Sequence, residues 1–489
     1  MAVFPIDLDT ADGYRTFLRV KGLPSYRFVG RTAVVPDEYA PLVAADRPQP
    51  AAGAYAPRPG LFDYQRDIAR LAVRKRKFAV FADCGLGKTL ILLEFARQAA
   101  AEMPPGRAVL IVSPLMVVGQ TAAEAARFYG PDLPVDVLAA RDLPGWLAGG
   151  GGRVGITNYD AITDRVTDRG RLGAMILDES SMLKSHYGRW GQRLVKLGRG
   201  LDWKMCLTGT PAPNDRIEYA NHAVFLDRFP TVNSFLAKFF VNRGETGERW
   251  ELKPHALRPF YRALSDWSIF LTDPAVYGWR DNTAPLPPIR VHIQDVPLTA
   301  GQRADAAAET GDLFGTPAGI GSRAKVARIA KRADGAKPGF VADLCDRLAG
   351  PGLVWCRYNA EQSDLARRLP AAANVAGDTP VAERVALVRE FQAGGRPALV
   401  TKPKILGFGL NLQAARWQVF STLQDSYEEY YQAVKRSNRY GSTAPLDVYI
   451  PVTDLERPMV ETVLAKAARV EADTREQQQL FREVGHVAV

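Results

Sequence analysis

The sequence predicts an α/β protein built as two parallel-sheet lobes in tandem, with a helical insertion and a small N-terminal α/β unit. Three observations carry that prediction. Apolar runs of 5–7 residues alternate with helical patterns between residues 61 and 228, and a second alternating series follows from 338 to 455. Runs this short, bounded by turn or polar residues, are the pattern of fully buried parallel strands with helices on both faces. One run, KFAVFA, feeds a glycine turn and then a helix, the context a phosphate-binding loop requires. Finally, 489 residues exceed what one compact core holds.

The elements follow in order. Residues 1–46 read as a small unit with a helix near 11–20 and a hairpin through SYRFVGRTAVV. RPQPAAGAYAPRPG (47–60) is a linker by composition. The first lobe, 61–228, has FAVFA, AVLIVS, RVGITN, AMILDE and KMCLTGT as strands, with AGGGGRVG (148–155) a loop before one of them. Residues 229–337 form the helical insertion and inter-lobe connection. Its aromatics Phe235, Phe239, Phe240, Phe260, Tyr261 and Trp267 fit either the insertion's own core or a base-stacking platform. Residues 303–337 are rich in Ala, Gly, Lys and Arg, and mobility is expected there. The second lobe, 338–455, has GLVWCRY, ALVTK, QVFSTL and DVYIPV as strands, and 456–489 is a C-terminal helical segment.

Composition narrows the function classes. No apolar run of spanning length exists, and MAVFPIDLDTADG carries acids where a secretory signal carries Lys or Arg, so a cytoplasmic protein is expected. Cys84, Cys206, Cys345 and Cys356 form no CxxC pair and are expected to be small buried thiols. The five histidines show no metal-ligand spacing. A net charge of +10, from 63 Lys and Arg against 53 Asp and Glu, favours an anionic partner without identifying one. The densest basic run, RKRK (74–77), reads as solvated side chains at a helix end or as a phosphate contact.

Five motifs carry chemistry. In ADCGLGKT (82–89), backbone N–H groups around Gly85 and Gly87 would face phosphate oxygens, Lys88 would reach the β- and γ-phosphates of ATP, and Thr89 would ligate Mg²⁺. Ala82 stands where such loops usually begin with glycine. AMILDESS (174–181) ends a strand with Asp178, placed to hold Mg²⁺, and Glu179, placed to deprotonate the attacking water. CLTGTPAPN (206–214) ends another strand in hydroxyls, with Thr208 and Thr210 as coupling residues. ILGFGLNLQAA (405–415) reads as a glycine turn running into a helix. In YYQAVKRSNRYGST (430–443), Arg436 and Arg439 are expected on one helix face, where a guanidinium can neutralise γ-phosphate charge.

In this order the motifs resemble those of the Swi/Snf-type ATPases of helicase superfamily two, over residues 61 to about 455. LFDYQRDIA (61–69) resembles the adenine-recognising motif and points to Gln65. ADCGLGKT resembles motif I, VLIVSPL (109–115) motif Ia, and LDESSMLK (177–184) motif II. LTGTPAPN resembles motif III, including Asn214. LPPIRVHIQDVPLTAGQ (286–302) is similar to the segment between the lobes, FGLNLQAA to motif V, and QAVKRSNRYG, with Gln432, to motif VI. Compact single chains of this kind are similar to those encoded by bacteriophages and prophages. The chain departs from the pattern at Ser180 and Ser181, where Ala-His is usual, and at Leu406, Lys435 and Asn438. SIFLTDP (268–274) lacks the paired arginines often found there.

The resemblance implies two RecA-like lobes with ATP and Mg²⁺ in the cleft between them. Gln65, Lys88, Thr89, Asp178 and Glu179 would lie on one side, and Gly407, Gly409, Gln432, Arg436 and Arg439 on the other. It implies sequence-independent DNA backbone contacts from Ser113, Asn158, Lys404 and Asn411. The expected activity is a DNA-dependent ATPase that moves along or remodels DNA, duplex in preference to single strands. The alternatives are a nucleotide-dependent DNA-binding module serving a nuclease or replication partner, and a single-strand- or RNA-directed helicase. Both halves of the ATP site lie in one chain, so a monomer suffices, and no membrane association is expected.

Overall fold

The computed structural model describes residues 1–489 except 22, 24–25, 44–54, 165, 167–168, 184–188, 214, 245–248, 283–285, 311–335, 407–410, 424–425, 440–441 and 485–489. The chain divides into two units, Met1–Thr283 with Asp473–Val489, and Ala284–Ala472. Most of the segment expected to be mobile, 311–335, lies outside the described residues, as do Asn214, Gly407 and Gly409.

The first unit opens with a three-stranded antiparallel sheet of β1 (Ala2–Pro5), β2 (Arg27–Val29) and β3 (Thr32–Val35) in the order β1-β3-β2. The hairpin turns at Gly30, whose φ of 57 suits a residue without a side chain. The helix Ala11–Lys21 supplies Val20 to a small core with Phe4, Ile6, Ala33, Val35 and Val43. Lys238, from the helix Val232–Phe239, lies 5.0 Å over the Tyr26 ring and ties this small sheet to the larger body.

That body is a seven-stranded sheet of β4 (Lys77–Ala82), β5 (Ala108–Ser113), β6 (Val135–Val137), β7 (Val154–Asn158), β8 (Leu172–Asp178), β9 (Trp203–Thr208) and β12 (Ser268–Leu271). The order is β12-β4-β9-β8-β5-β7-β6, and every pairing is parallel. All six residues of β5 and of β9 are buried, as strands covered on both faces must be. The order sets the site: β4, β9 and β8 are neighbours, so the loops at their carboxyl ends converge although they lie far apart in sequence.

Two parts of the first unit differ from expectation. SIFL, at the end of the segment read as a helical insertion, is β12, the edge strand beside β4. Four apolar residues after a helix carry no periodicity that separates one more turn from a strand. The insertion also holds a short antiparallel pair, β10 (Phe240–Asn242) with β11 (Trp250–Leu252). Its aromatics are core: Phe235, Phe239, Phe240, Phe260, Tyr261 and Trp267 are all buried, and Phe260 lies 5.2–6.0 Å from five neighbouring rings. None offers a face for base stacking.

The basic run is likewise spent on the fold: its Lys75, Arg76 and Lys77 meet acids of the first unit. The Lys75 ammonium pairs with Asp266 at 3.4 Å, both side chains being buried, and Lys77 pairs with Asp227 at 2.7 Å. Arg76 pairs with Glu102 and lies over the Trp203 ring at 4.8 Å. These residues brace the amino-terminal edge of the sheet, opposite the convergent loops. The four cysteines are free and buried.

The second unit is a six-stranded parallel sheet of β13 (Ile289–Asp295), β14 (Gly352–Trp355), β15 (Ala373–Asn374), β16 (Ala398–Thr401), β17 (Trp417–Phe420) and β18 (Leu446–Val452), in the order β13-β18-β17-β14-β16-β15. IRVHIQD, read as connecting chain, is thus its edge strand. Helices Lys337–Arg347 and Asn359–Arg368 cover it, with Val341, Leu344 and Leu365 packed on Val354, Val400 and Val419. Both units are therefore RecA-like parallel sheets flanked by helices. Among the described residues no helix is long and apolar enough to cross a membrane.

Candidate nucleotide site

The phosphate loop forms because β4 is buried and ends at Ala82, while the helix Lys88–Glu102 starts six residues later. The chain reverses through Gly85 (φ 90) and Gly87 (φ 65), both in the left-handed region. At Gly87 a side chain would strain the backbone, and its Cβ, 2.1 Å from Gln65 Nε2, would displace that amide. The helix presents its unpaired amino-terminal N–H groups and positive dipole end to the loop, with Lys88 and Thr89 as its first residues. Lys88 Nζ donates to the carbonyls of Ala82 at 2.7 Å and Asp83 at 3.2 Å.

Gln65 is buried against this loop. Its Oε1 accepts from Phe62 N at 3.0 Å, and its Nε2 lies 3.5 Å from the carbonyls of Leu86 and Gly87. The Tyr64 hydroxyl donates to Leu86 O at 3.1 Å. The adenine-motif helix, Asp63–Lys75, thus props the phosphate loop through two side chains, of which the sequence pointed to one.

The acid pair ends β8. Asp178 Oδ2 accepts from the Ser113 hydroxyl at 2.9 Å, Oδ1 accepts from Glu179 N at 3.1 Å, and the Tyr159 hydroxyl donates to Asp178 O at 2.6 Å. Burial and the neighbouring Glu179 charge push the Asp178 carboxyl up to about 6, against the Ser113 hydrogen bond and the Lys88 charge. The Lys88 effect places the loop's cation within electrostatic reach of Asp178. Glu179 takes a left-handed backbone (φ 51), rare for a residue with a side chain. Its Oε2 accepts from the Thr208 hydroxyl at 3.3 Å, and Thr210 N donates to Thr208 Oγ1 at 3.1 Å. Asp178, Glu179 and Thr208 are all nearly inaccessible.

One expected polymer contact in this unit changes role, and a second has a structural duty as well. Ser113 is fully buried and spends its hydroxyl on Asp178, so it belongs to the acid cluster and cannot reach a backbone phosphate. Asn158 Oδ1 accepts from Ala161 N at 3.1 Å, capping the turn that delivers Tyr159. Sequence reasoning stopped at Asn158 in TNYD; the tyrosine beside it is the residue that reaches the site.

His222, on the helix Tyr219–Phe225, was not singled out, because a lone histidine in EYANHAVF offers no pattern. It is fully buried with Nε2 3.1 Å from Ser180 Oγ, directly after the acid pair. Burial pushes its imidazole down to about 4 from an ordinary 6.5, so it is neutral at pH 7. With the folded value below the unfolded one, the unfolded chain takes up the proton first. Stability is then full above about pH 6.5 and is lost toward pH 4 at about 1.4 kcal/mol per pH unit. Asp178, shifted upward, titrates with the opposite sign, so wild type should be compared with His222→Gln, which keeps Asp178 and lacks the imidazole. In urea unfolding at pH 7, 6 and 5 without metal, wild type should lose ground to the variant by about that slope. A constant difference across the range would refute the assignment.

In the second unit the arginines are not on a helix face: the helix Tyr427–Val434 ends before both. Val434 is followed by Lys435 as the cap and then by turns, so the expected spacing of three along a helix does not apply. Arg436 is buried, with Nε donating to Gln432 O at 3.1 Å, and its carbonyl accepts from Leu412 N at 3.0 Å. Arg439 is half-buried, and its carbonyl accepts from Gln413 Nε2 at 3.4 Å. Residues 411–416, expected to be helical, take no regular structure, and Leu412 and Gln413 are stitched to the arginine turn. Gln418, a buried amide on β17, holds the helix end: Nε2 donates to Ala433 O at 3.1 Å and Ser437 Oγ at 2.8 Å, while Oε1 accepts from Trp355 Nε1. Gln432 is buried with Nε2 3.4 Å from Glu428 Oε1. Lys404 and Asn411 are exposed.

A phosphate loop, a buried acid pair and a hydroxyl-bearing turn at the ends of three adjacent parallel strands define a nucleotide-hydrolysing protein of the RecA-like class. Residues 70–261 match the SNF2-related domain and residues 341–441 the helicase conserved C-terminal domain. The chain carries both domains of an SNF2-type superfamily two helicase and is a DNA-dependent ATPase. No curated protein matches it in sequence. Among solved structures it is similar to the Sulfolobus solfataricus SWI2/SNF2 ATPase core in complex with dsDNA, at 17% identity and a TM-score of 0.40, over 89% of this chain and 99% of that one.

Proposed function

We propose that this chain hydrolyses ATP at the carboxyl ends of β4, β9 and β8 and spends the energy moving along duplex DNA. The observation that carries the reading is the pair Asp178 and Glu179, each held by a hydroxyl, Ser113 and Thr208, beside the loop lysine. Gly85 and Gly87 leave room for phosphate oxygens, Lys88 binds the β- and γ-phosphates, and Gln65 reads the adenine edge. Glu179 accepts the proton of the attacking water. The Thr89 hydroxyl and Asp178 carboxylate are oxygen donors suited to Mg²⁺, which when bound neutralises phosphate charge. Among the described residues no cluster of three or more His, Cys, Asp or Glu competes for a metal ion.

Arg436 and Arg439 supply the charge that meets the γ-phosphate, and Gln432, Gly407 and Gly409 complete the nucleotide-binding set of this reading. Thr208 and Thr210 couple the acid pair to the loop that follows. Lys404, Asn411 and Asn158 are the backbone contacts of the reading, and Lys404, the one cation among them, makes affinity fall with salt. The working boundaries are 61–228 and 338–455 for the lobes, with 1–46 as an accessory unit.

Steady-state ATP hydrolysis with no polymer, duplex DNA, single-stranded DNA or RNA, against Lys88→Ala as the blank, tests this. Stimulation by duplex DNA above the other polymers is expected. Preference for single strands or RNA would overturn the duplex reading, and turnover no greater than the blank would overturn the site.

A further inference from the structure

Motif II departs from its usual form at Ser180 and Ser181, and the structure contains a histidine that meets this departure from elsewhere in the chain. The chain leaves β8 through Glu179, whose left-handed backbone turns it sharply into the short 3-10 helix Ser180–Leu183. A side-chain-bearing residue keeps that conformation only where its neighbours hold it. Two contacts pin the turn to the helix Tyr219–Phe225. His222 Nε2 meets Ser180 Oγ at 3.1 Å at the start of the turn, and Asn221 Nδ2 donates to Leu183 O at its end.

The same imidazole packs edge-on against Phe81, with ring centroids 5.3 Å apart. Phe81 is the residue before Ala82, where β4 opens into the phosphate loop. His222 therefore touches the strand that feeds the loop and the turn that aims Glu179. The helix carrying it follows the 206–214 segment, whose Thr208 holds the Glu179 carboxylate from the other side. A core filler at this position would need only apolar bulk; a fully buried imidazole bonded to a fully buried hydroxyl is directional.

We propose that His222 is a positioning residue for ATP hydrolysis, holding Ser180 so that Glu179 keeps its left-handed backbone and its aim. The neutral imidazole at physiological pH makes the pair an ordinary hydrogen bond rather than an ion pair. The proposal rests on Glu179 acting as the base, and its test separates the two. His222 and Ser180 are both fully buried, and each acts through Glu179.

The experiment measures DNA-stimulated kcat, KM for ATP and thermal midpoint for Ser180→Ala, His222→Leu, the double variant, His222→Gln and Glu179→Gln. Ser180→Ala and His222→Leu should each lower kcat about tenfold with KM unchanged, since a misaimed base affects the chemical step. The double variant should be no worse than either single one, because both remove one contact. His222→Gln, which keeps an amide near the Nε2 position, should recover most of the loss.

Inactive Glu179→Gln with Ser180→Ala within about twofold of wild type would overturn the inference alone. Losses that multiply in the double variant, or a fall in thermal midpoint with kcat unchanged, would do the same. Active Glu179→Gln would instead overturn the assignment of the base. Ser180→Ala removes one oxygen and almost no volume, so it decides the matter even where His222→Leu fails to fold.

Discussion

Glu179→Gln is expected to lower DNA-stimulated ATP turnover by roughly 10²–10⁴ while leaving ATP bound, the usual contribution of a positioned general base. The substitution keeps the shape of the side chain and an oxygen that can accept from Thr208, now 3.3 Å from Glu179 Oε2. What it removes is the capacity to take a proton. The backbone turn at φ 51 is untouched, so any loss is chemical rather than architectural. Single-turnover hydrolysis with a parallel measurement of nucleotide binding checks it. A variant within about tenfold of wild type would remove Glu179 from the role of base.

Arg439→Ala is expected to abolish turnover, by roughly 10³–10⁵, with ATP affinity little changed, because the guanidinium acts on charge that develops in the transition state. Arg436 is the useful contrast. It is buried, its Nε donates to Gln432 O, and its carbonyl receives Leu412 N. Arg436→Ala should therefore lower the thermal midpoint as well as turnover, whereas half-buried Arg439 should give a catalytic defect in a stable protein. Titration of a fluorescent nucleotide alongside hydrolysis separates the two effects. Wild-type-like turnover of Arg439→Ala would exclude it from the site.

The motifs were legible because phosphate chemistry constrains sequence locally. A strand, a glycine turn and Lys-Thr occupy one continuous stretch, and so does an acid pair at a strand end. Contacts made across the sheet left no such trace. Ser113 reads as a loop hydroxyl; only the pairing of β5 beside β8 shows that it faces Asp178. Tyr159, His222 and Gln418 are single residues whose hydrogen-bond partners lie 15 to 63 positions away, with no spacing to mark them. The spacing of the arginines permits one helix face, yet the helix stops at Val434. Buried Gln418 draws in the carbonyls that end it. β12 was hidden by brevity, since its place beside β4 is a tertiary fact.

That last pairing bears on how the protein is made. β12 lies beside β4 with Ile269 opposite Val80, so the strand that delivers the phosphate loop waits about 190 residues for its outer neighbour. Until Ser268–Leu271 leaves the ribosome, nascent β4 offers an open, apolar edge of unpaired amides and carbonyls, the kind of surface that captures other chains. The matched SNF2-related segment ends at 261, short of that strand. A fragment cut at the family boundary would keep every residue of the acid cluster and the loop, yet expose β4 permanently. Solubility of the first half of this enzyme is thus set by four residues beyond its family boundary.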